Sequence, residues 1–250
     1  MVVFVGAGPG DPELITVKGR RYIEEADVII YAGSLVNEEL LKLSKQDCMV
    51  YNSASMTLKD VVEVMRDASM SNKLAVRLHT GDPSIYGAIR EQMDQLDNLG
   101  IEYEVVPGVS SFFAAAAALK KEYTLPGVTQ TVILTRMEGR TGVPQKEKIE
   151  ALASHGAAMV IFLSVHMMDE LVERLKCGYR LDTPVAVVYK ASWPQQKIVR
   201  GTLDNIAELV VKEGIKKTAL VVVGDFLGND YELSKLYDDN FSHEYRSAGE

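Results

Sequence analysis

The chain has 250 residues, of which 47% are hydrophobic and 25% are charged, and its mean hydropathy is -0.01. This composition is typical of a soluble globular protein and excludes a disordered chain, while a total of two cysteines, Cys48 and Cys177, excludes a disulfide scaffold. The formal net charge of -8 argues against a nucleic-acid partner, which would need a basic surface.

The first half of the sequence alternates short apolar runs with segments of helical periodicity. Helices are predicted over residues 17–26, 61–68, 85–99 and 110–119. Strands are predicted over residues 2–5, 28–31, 49–51, 74–78 and 103–106. Because strands separated by helices pair in parallel through crossover connections, residues 1–119 are predicted to form an α/β domain with a mostly parallel sheet.

A polar stretch that contains Pro126 and Gly127 marks the expected domain boundary, and a similar pattern follows it. Helices are predicted over residues 145–154, 167–176 and 203–212. Strands are predicted over residues 131–135, 158–163, 185–189, 197–200 and 219–223. Since a hairpin-sized loop around Trp193 joins two of these strands, the sheet of this second α/β domain, residues 120–228, is predicted to be mixed. Residues 229–250 are expected to form a polar C-terminal tail.

Glycine-rich turns follow three predicted strands of the first domain. We call residues 6–11, 80–83 and 107–111 the first, second and third glycine turns. In a parallel sheet these turns share the carboxyl edge, which is where open α/β sheets bind ligands. A simple chain reversal explains each turn taken singly, but three at one edge favour a binding crevice.

The first glycine turn does not fit the dinucleotide-binding pattern. Its sixth position is Asp11 rather than glycine, and Pro12 delays the helix that would receive a pyrophosphate. The sequence also lacks the Lys-Ser/Thr pair of a P-loop and the G-x-S-x-G motif of a serine nucleophile. Because the four histidines show no ligand spacing with one another or with cysteine, no metal site is predicted.

Membrane spans and export signals are not predicted. The longest apolar runs are shorter than the ~20 residues that a membrane helix requires. Met1 leads directly into an apolar run without a basic segment or a cleavage site. We therefore expect a cytoplasmic protein with no membrane partner.

One set of motifs extends along nearly the whole chain, at residues 5–11, 14–16, 81–83, 86–87, 107–111, 161–164, 190–195 and 201–203. In this order the motifs resemble the tetrapyrrole (corrin/porphyrin) methylase family, whose members transfer methyl groups from S-adenosylmethionine to corrin precursors. Within that family, residues 31–36 and 131–141 are most similar to the precorrin-4 C11-methyltransferases, especially the cobalt-precorrin-4 type.

This resemblance implies two α/β domains with an active-site cleft between them, and a homodimer. It implies methylation of C11 of precorrin-4 or cobalt-precorrin-4 to give the corresponding precorrin-5 in cobalamin biosynthesis, with S-adenosylhomocysteine as the second product. Two alternatives stay open: a methylase of the same fold that acts on another precorrin carbon, and a non-catalytic tetrapyrrole-binding module.

The resemblance also implies functional residues. A tetrapyrrole with many carboxylates needs cations, so Arg136, Arg140 and Lys190 are predicted to bind substrate, with Tyr86 stacking on the ring. The catalytic base is not identified, and Asp11 and Glu138 are candidates only because they lie in matching motifs. The predicted cofactor contacts are Pro9, Thr80, Gly81, Asp82, Ile85, Ser110, Ser111, Leu163, Ala191 and Ala219.

For several predicted cofactor contacts a purely structural role stays open. Asp82 has the chemistry to bind the amino group or ribose of the cofactor, and equally to cap the predicted helix after Pro83. Leu163, Ala191 and Ala219 also fit positions in a strand core or a turn.

Overall fold

The structure is a computed structural model that describes residues 1–235, 238–242 and 244–247. The chain divides into two compact units. The first contains Met1–Ala115 and Lys190–Gln196, and the second contains Ala116–Tyr189 and Lys197–Glu250. Part of the predicted polar tail, residues 229–250, lies outside the described residues.

Five parallel strands form the sheet of the first unit. They lie in the order β3-β2-β4-β1-β5, and every neighbouring pair is parallel. The sheet predicted to be mostly parallel is thus entirely parallel, because a long crossover joins each strand to the next. The strands are β1 (Val2–Gly6), β2 (Val28–Tyr31), β3 (Met49–Asn52), β4 (Ala75–His79) and β5 (Tyr103–Val106).

Helices cover both faces of this sheet. On one face Ile23 of α1 packs in a buried cluster with Val3 and Val5 of β1. On the other face Met65 of α2 and Leu96 of α3 are buried in the cluster that contains Phe4 and Ile30. The near-continuous apolar strands predicted this arrangement, since a parallel sheet is buried on both faces. These helices are α1 (Val17–Glu25), α2 (Leu58–Met70) and α3 (Arg90–Asn98). A fourth helix, α4 (Ser111–Leu119), begins in the first unit and ends in the second.

The predicted helix over residues 85–99 is wrong at its beginning. Helix α3 begins at Arg90, and the preceding residues form a turn in which Tyr86 and Ala88 have φ values of +55° and +49°. These values are left-handed and cannot continue a right-handed helix. Ile85 and Ile89 have helical spacing in the sequence, but the residues between them form this turn and not a helix.

A mixed sheet forms the second unit and confirms the prediction made for this half. Its strands lie in the order β6-β7-β10-β8-β9. Only β6 and β7 are parallel, and the other neighbouring pairs are antiparallel. The strands are β6 (Val132–Arg136), β7 (Ala158–Phe162), β8 (Pro184–Tyr189), β9 (Lys197–Thr202) and β10 (Ala219–Val223).

Three helices pack on the second sheet: α5 (Ile149–Ala153), α6 (Met168–Leu175) and α7 (Ile206–Lys212). The predicted helix over residues 145–154 is shorter than expected, because Lys148 is extended (φ -64°, ψ 149°) and separates a 3-10 turn from α5. In the part of the chain that the structure describes, the helices are all too short or too polar to cross a bilayer.

Candidate functional site

The three glycine turns meet at one edge of the first sheet. They follow β1, β4 and β5, which are adjacent in the order β4-β1-β5, so their carboxyl ends lie side by side. The turns contact one another through their backbones. A Cβ built on Gly6 would lie 2.6 Å from the Gly108 Cα and 2.6 Å from the Gly81 carbonyl oxygen. Glycine is therefore required where the turns meet.

Backbone hydrogen bonds join the first two glycine turns. The Ala7 N–H donates to the His79 carbonyl at 2.7 Å. The Gly8 N–H donates to the Gly81 carbonyl at 3.2 Å, and the Gly81 N–H donates back to the Gly8 carbonyl at 2.8 Å. Together these bonds fix the two turns relative to each other.

Asp82 joins the second glycine turn to the third. Its Oδ2 accepts the Gly108 N–H at 2.8 Å, and its Oδ1 accepts both the N–H, at 2.9 Å, and the hydroxyl of Ser84. Burial acts to raise the pKa of Asp82, but the hydrogen bonds from Ser84 and Gly108 outweigh it and lower the pKa below its ordinary value. The carboxylate therefore has a structural role in the turn. It does not cap a helix as the structural alternative predicted, because α3 begins only at Arg90.

Hydroxyl groups border the second and third glycine turns. The Thr80 hydroxyl donates to the Leu35 carbonyl at 2.9 Å, which connects the second turn to the segment after β2. Ser110 is buried, and its carbonyl accepts the Phe113 N–H at 3.1 Å where α4 begins. Ser111 is the first residue of α4, so the N-terminus of this helix adjoins the third turn.

The segment Lys190–Gln196 packs on the first glycine turn. The Trp193 indole N–H donates to the Pro9 carbonyl at 2.9 Å, and the Asp11 N–H donates to the Ser192 hydroxyl at 3.0 Å. The Lys190 ammonium lies 5.1 Å from the centroid of the Trp193 ring, within cation–π distance. The predicted contact residues Pro9 and Ala191 thus lie in one unit, and both are buried.

Gly10 makes this packing possible. A Cβ on Gly10 would lie 2.0 Å from the Trp193 Nε1, and the residue has a φ of +152°. The glycines and the loop around Trp193 belong to separate motifs in the sequence. Their contact could not be predicted, because residues so far apart in the chain have no shared local pattern.

In the second unit, predicted site residues lie at one edge of the mixed sheet. Strand β10 pairs Val221 with Ile161 and Ala219 with Tyr189. This antiparallel register places the first residue of β10, Ala219, at the same edge as Leu163, which directly follows β7. Leu163 is 62% exposed. The strand-core alternative therefore does not describe its side chain.

Left-handed backbone is common among the predicted site residues. Tyr86, Leu163 and Lys190 have φ values of +55°, +56° and +46°. Such conformations cost a non-glycine residue about 1–3 kcal/mol and cluster at functional sites. The sequence carries no signal for this strain, because all three residue types are common in ordinary secondary structure.

The side chain of Arg136 organises the loop that follows β6. Its guanidinium donates to the carbonyls of Met137, Thr141 and Gly142 at 3.0, 3.2 and 3.0 Å. We call residues 137–142 the arginine loop. Arg140, within this loop, is exposed. The two arginines that the sequence grouped together thus differ in their contacts, since Arg136 shapes the loop and Arg140 is accessible.

Buried Ser164 anchors the arginine loop to the end of β7. Its hydroxyl accepts the Met137 N–H at 2.9 Å and donates to the Phe162 carbonyl at 2.7 Å. Ser164 is not among the predicted site residues. Its position next to Leu163, which is a predicted cofactor contact, is the feature of the sequence that connects it to the site.

Both candidate bases have hydrogen-bond partners. An Asp11 carboxylate oxygen accepts the Glu13 N–H at 2.9 Å at the start of a 3-10 turn. The Glu138 carboxylate accepts a hydrogen bond from Arg174 at 2.6 Å, and this bond lowers the pKa of Glu138. A lower pKa makes Glu138 a weaker proton acceptor. Arg174 could not be predicted as this partner, because it lies in none of the sequence motifs.

Metal ligands are not clustered in the part of the chain that the structure describes. Residues 1–235, 238–242 and 244–247 contain no group of three or more histidine, cysteine, aspartate or glutamate side chains positioned to hold a metal ion.

Comparison with known proteins supplies the family of the chain. A family model for Tetrapyrrole (Corrin/Porphyrin) Methylases matches residues 1–207. A relative from Methanocaldococcus jannaschii, named cobalt-precorrin-4 C(11)-methyltransferase, is 62% identical over 249 residues, which is 99% of this chain and 96% of the relative.

Two solved structures share the fold. A cobalt precorrin-4 methyltransferase, described as a cobalamin biosynthetic enzyme, has a TM-score of 0.89 and 47% identity, covering 91% of this chain and 96% of its own. A uroporphyrin-III C-methyltransferase from Thermus thermophilus, complexed with S-adenosylhomocysteine, has a TM-score of 0.76 and 27% identity, covering 90% of this chain and 98% of its own. Since both the family model and a close relative span most of the sequence, the chain belongs to the tetrapyrrole methylase family.

Proposed function

We propose that this protein is an S-adenosylmethionine-dependent methyltransferase that methylates C11 of precorrin-4 or cobalt-precorrin-4 in cobalamin biosynthesis. The product is the corresponding precorrin-5. One observation carries the proposal: the relative named for C(11) methylation of cobalt-precorrin-4 is 62% identical over 99% of this chain.

The residues at the glycine turns fit the proposed cofactor. The turns meet backbone to backbone and consist mostly of glycine and other small residues. Adenosine and an amino-acid group both offer many hydrogen-bonding atoms to such turns, and the N-terminus of α4 favours a carboxylate. We assign cofactor binding to Pro9, Thr80, Gly81, Asp82, Ile85, Ser110, Ser111, Leu163, Ala191 and Ala219.

When bound, the cofactor supplies an electrophilic methyl group on sulfur. The contribution of the protein is to hold donor and acceptor carbon in line and to exclude water from them. The hydrogen bonds among the glycine turns suit this task, since they hold the backbone groups in place before a ligand binds.

Cationic side chains recognise the substrate carboxylates. We assign direct contact to Arg140 and Lys190, ring stacking to Tyr86, and support of the arginine loop to Arg136. Charge-assisted hydrogen bonds to carboxylates provide affinity even in a protein of net charge -8.

Methylation at C11 releases a proton, and the protein or solvent must accept it. Glu138 is poorly suited because its carboxylate is paired with Arg174, and we assign it a structural role. Asp11 is the other of the two candidate bases and stays a prediction.

The proposal extends to assembly, location and domain organisation. We infer a cytoplasmic homodimer that has neither a nucleic-acid nor a membrane partner, with functional domains over residues 1–119 and 120–228. The acidic net charge supports the exclusion of nucleic acid. Light scattering after gel filtration tests the dimer, and a monomer under assay conditions would contradict it.

The reaction is tested with S-adenosylmethionine that carries a ¹³C-labelled methyl group. The protein is incubated separately with precorrin-4 and cobalt-precorrin-4, and the labelled carbon is located by NMR. Label at C11 together with S-adenosylhomocysteine is the expected result. Label at another carbon identifies the alternative methylase, and binding of the tetrapyrrole without S-adenosylhomocysteine identifies a binding module.

A further inference from the structure

A buried charged side chain lies beneath the turn that leads into α3. Arg77, in the middle of β4, is only 7% exposed. Its Nη1 donates to the Ile30 carbonyl at 3.1 Å, and its Nε donates to the Gln92 side-chain oxygen at 3.1 Å. Burial lowers the pKa of Arg77 to about 10, so the group is still charged at neutral pH. Burying a charge without an ionic partner is unfavourable, and among the described residues no carboxylate pairs with it.

Gln92 connects Arg77 to the turn, because its side chain forms a hydrogen bond with each of them. This residue of α3 is 6% exposed. Its side-chain amide donates to the Ala88 carbonyl at 3.0 Å. Arg77 fixes the orientation of this amide, because its N–H must meet the amide oxygen rather than the amide nitrogen. Two hydrogen bonds thus connect the sheet to Ala88.

The turn that receives this contact is strained. We define the Tyr86 turn as residues 83–89. It contains two left-handed non-glycine residues, Tyr86 and Ala88, and a Cβ on Gly87 would lie 2.1 Å from the Pro83 carbonyl oxygen. Strained backbone persists only where surrounding structure holds it. Gln92 provides such support at Ala88.

We propose that Arg77 and Gln92 are positioning residues that hold the Tyr86 turn in its strained shape, so that Ile85 and Tyr86 are presented to the cofactor and the tetrapyrrole. The inference rests on the proposed function for the role of Ile85 and Tyr86. The support of the turn itself rests only on the contacts described above.

The variant Gln92→Glu separates positioning from stability. The carboxylate keeps an acceptor for Arg77 and adds an ionic partner for its charge, but it has no N–H for the Ala88 carbonyl. Hydrogen exchange of the amides of residues 84–89, measured without any ligand, should become about threefold to tenfold faster, which is the range that one hydrogen bond supports. Thermal unfolding of the variant should be unchanged or shifted upward.

Function gives a second and independent measurement. In the same variant the KM for the tetrapyrrole should rise about threefold to tenfold, and the Kd for S-adenosylhomocysteine, measured by calorimetry, should rise in the same range. We expect kcat to change less than KM. The double variant Ala88→Gly with Gln92→Glu should restore both values, since glycine adopts the left-handed conformation without support.

Gln95→Glu is the matched control, because it makes the same charge change at an exposed position of α3. If Gln92→Glu does not fold, Gln92→Met removes the hydrogen bonds with both Ala88 and Arg77 without adding charge, and the same two results decide. Exchange at residues 84–89 equal to that of the unsubstituted protein would overturn the proposal. If exchange rises but neither form of precorrin-4 is methylated by the unsubstituted protein, the proposed function fails and the support of the turn stands.

Discussion

Trp193 is the single tryptophan of the chain and lies against the first glycine turn. Its indole occupies the space that a side chain at position 10 would need. The contact therefore depends on glycine at one position and on an indole N–H at another. Because the chain has no second tryptophan, its tryptophan fluorescence, excited selectively over tyrosine, reports on Trp193 alone.

The variant Gly10→Ala should displace Trp193 from the first glycine turn. An added Cβ would lie 2.0 Å from the Trp193 Nε1, and overpacking of this kind costs about 1–3 kcal/mol. We expect a red-shifted fluorescence maximum, a lower free energy of unfolding in urea and weaker S-adenosylhomocysteine binding. Gly139→Ala is the control, since a Cβ there meets nothing within 4 Å. Unchanged fluorescence in Gly10→Ala would contradict the packing.

Arg140 and Arg136 should differ in what their removal changes. Arg140 is exposed, so Arg140→Ala should leave thermal unfolding unchanged and raise the KM for the tetrapyrrole about tenfold, the effect of losing one hydrogen bond to a charged group. Arg136→Ala removes the bonds that shape the arginine loop and should lower the unfolding temperature as well. Steady-state kinetics and thermal melts of both variants check this difference. Equal KM values for Arg140→Ala and the unsubstituted protein would remove Arg140 from the proposed site.

At the scale of whole elements, Ser164 connects a strand to a loop. It is completely buried, and it holds the Met137 N–H that begins the arginine loop. A buried donor left without a partner loses its hydration and gains nothing in return. The end of β7 and the loop after β6 are therefore expected to be stable as a pair.

Ser164→Ala should lower the free energy of unfolding by about 1–3 kcal/mol, the cost of leaving the Met137 N–H unsatisfied. Urea denaturation measures this value. Ser154→Ala is a suitable comparison, because Ser154 is exposed although its hydroxyl also donates to a backbone carbonyl. Equal losses in the two variants would show that the buried bond has no special weight.

The strands could be predicted from the sequence more fully than the turns. Apolar runs such as residues 2–5 and 219–223 are buried strands in the structure, because burial on both faces requires continuous hydrophobicity. The beginning of α3 could not be predicted, since the left-handed φ values at Tyr86 and Ala88 depend on Gly87 packing on Pro83 and on support from α3.

For the candidate site, the sequence predicted the location but not the side-chain contacts. The sequence indicated three glycine turns at one edge, and the order β4-β1-β5 places them there. It gave no indication that Asp82 accepts the Gly108 N–H or that Arg136 bonds its own loop. Those partners are selected by tertiary packing, which leaves no regular spacing in a single sequence.

For the whole molecule, buried His79 makes stability depend on pH. Burial, assisted by the positive charge of Arg77, lowers the pKa of His79 to about 3 from an ordinary value of 6.5. The unfolded chain therefore binds a proton more readily between these values. Protonation favours unfolding as the pH falls, and the loss begins near pH 6.5.

We expect the free energy of unfolding to fall between pH 6.5 and pH 4 by up to about 1.4 kcal/mol per pH unit from this one group. His79→Gln should reduce that slope. The same replacement at exposed His155 should not. Urea denaturation at a series of pH values gives the slopes, and identical slopes for His79→Gln and the unsubstituted protein would contradict the assignment.

The assignment of Lys190–Gln196 to the first unit has a consequence for biosynthesis. During translation Met1–Ala115 is synthesised first. Trp193, whose indole packs against Gly10, is synthesised only after β8 of the second unit. The first unit therefore cannot be completed until the segment Lys190–Gln196 has been translated. Cleavage of the chain at one position would therefore not separate the two units. Expression of residues 1–115 alone would give a first glycine turn that lacks its contact with Trp193.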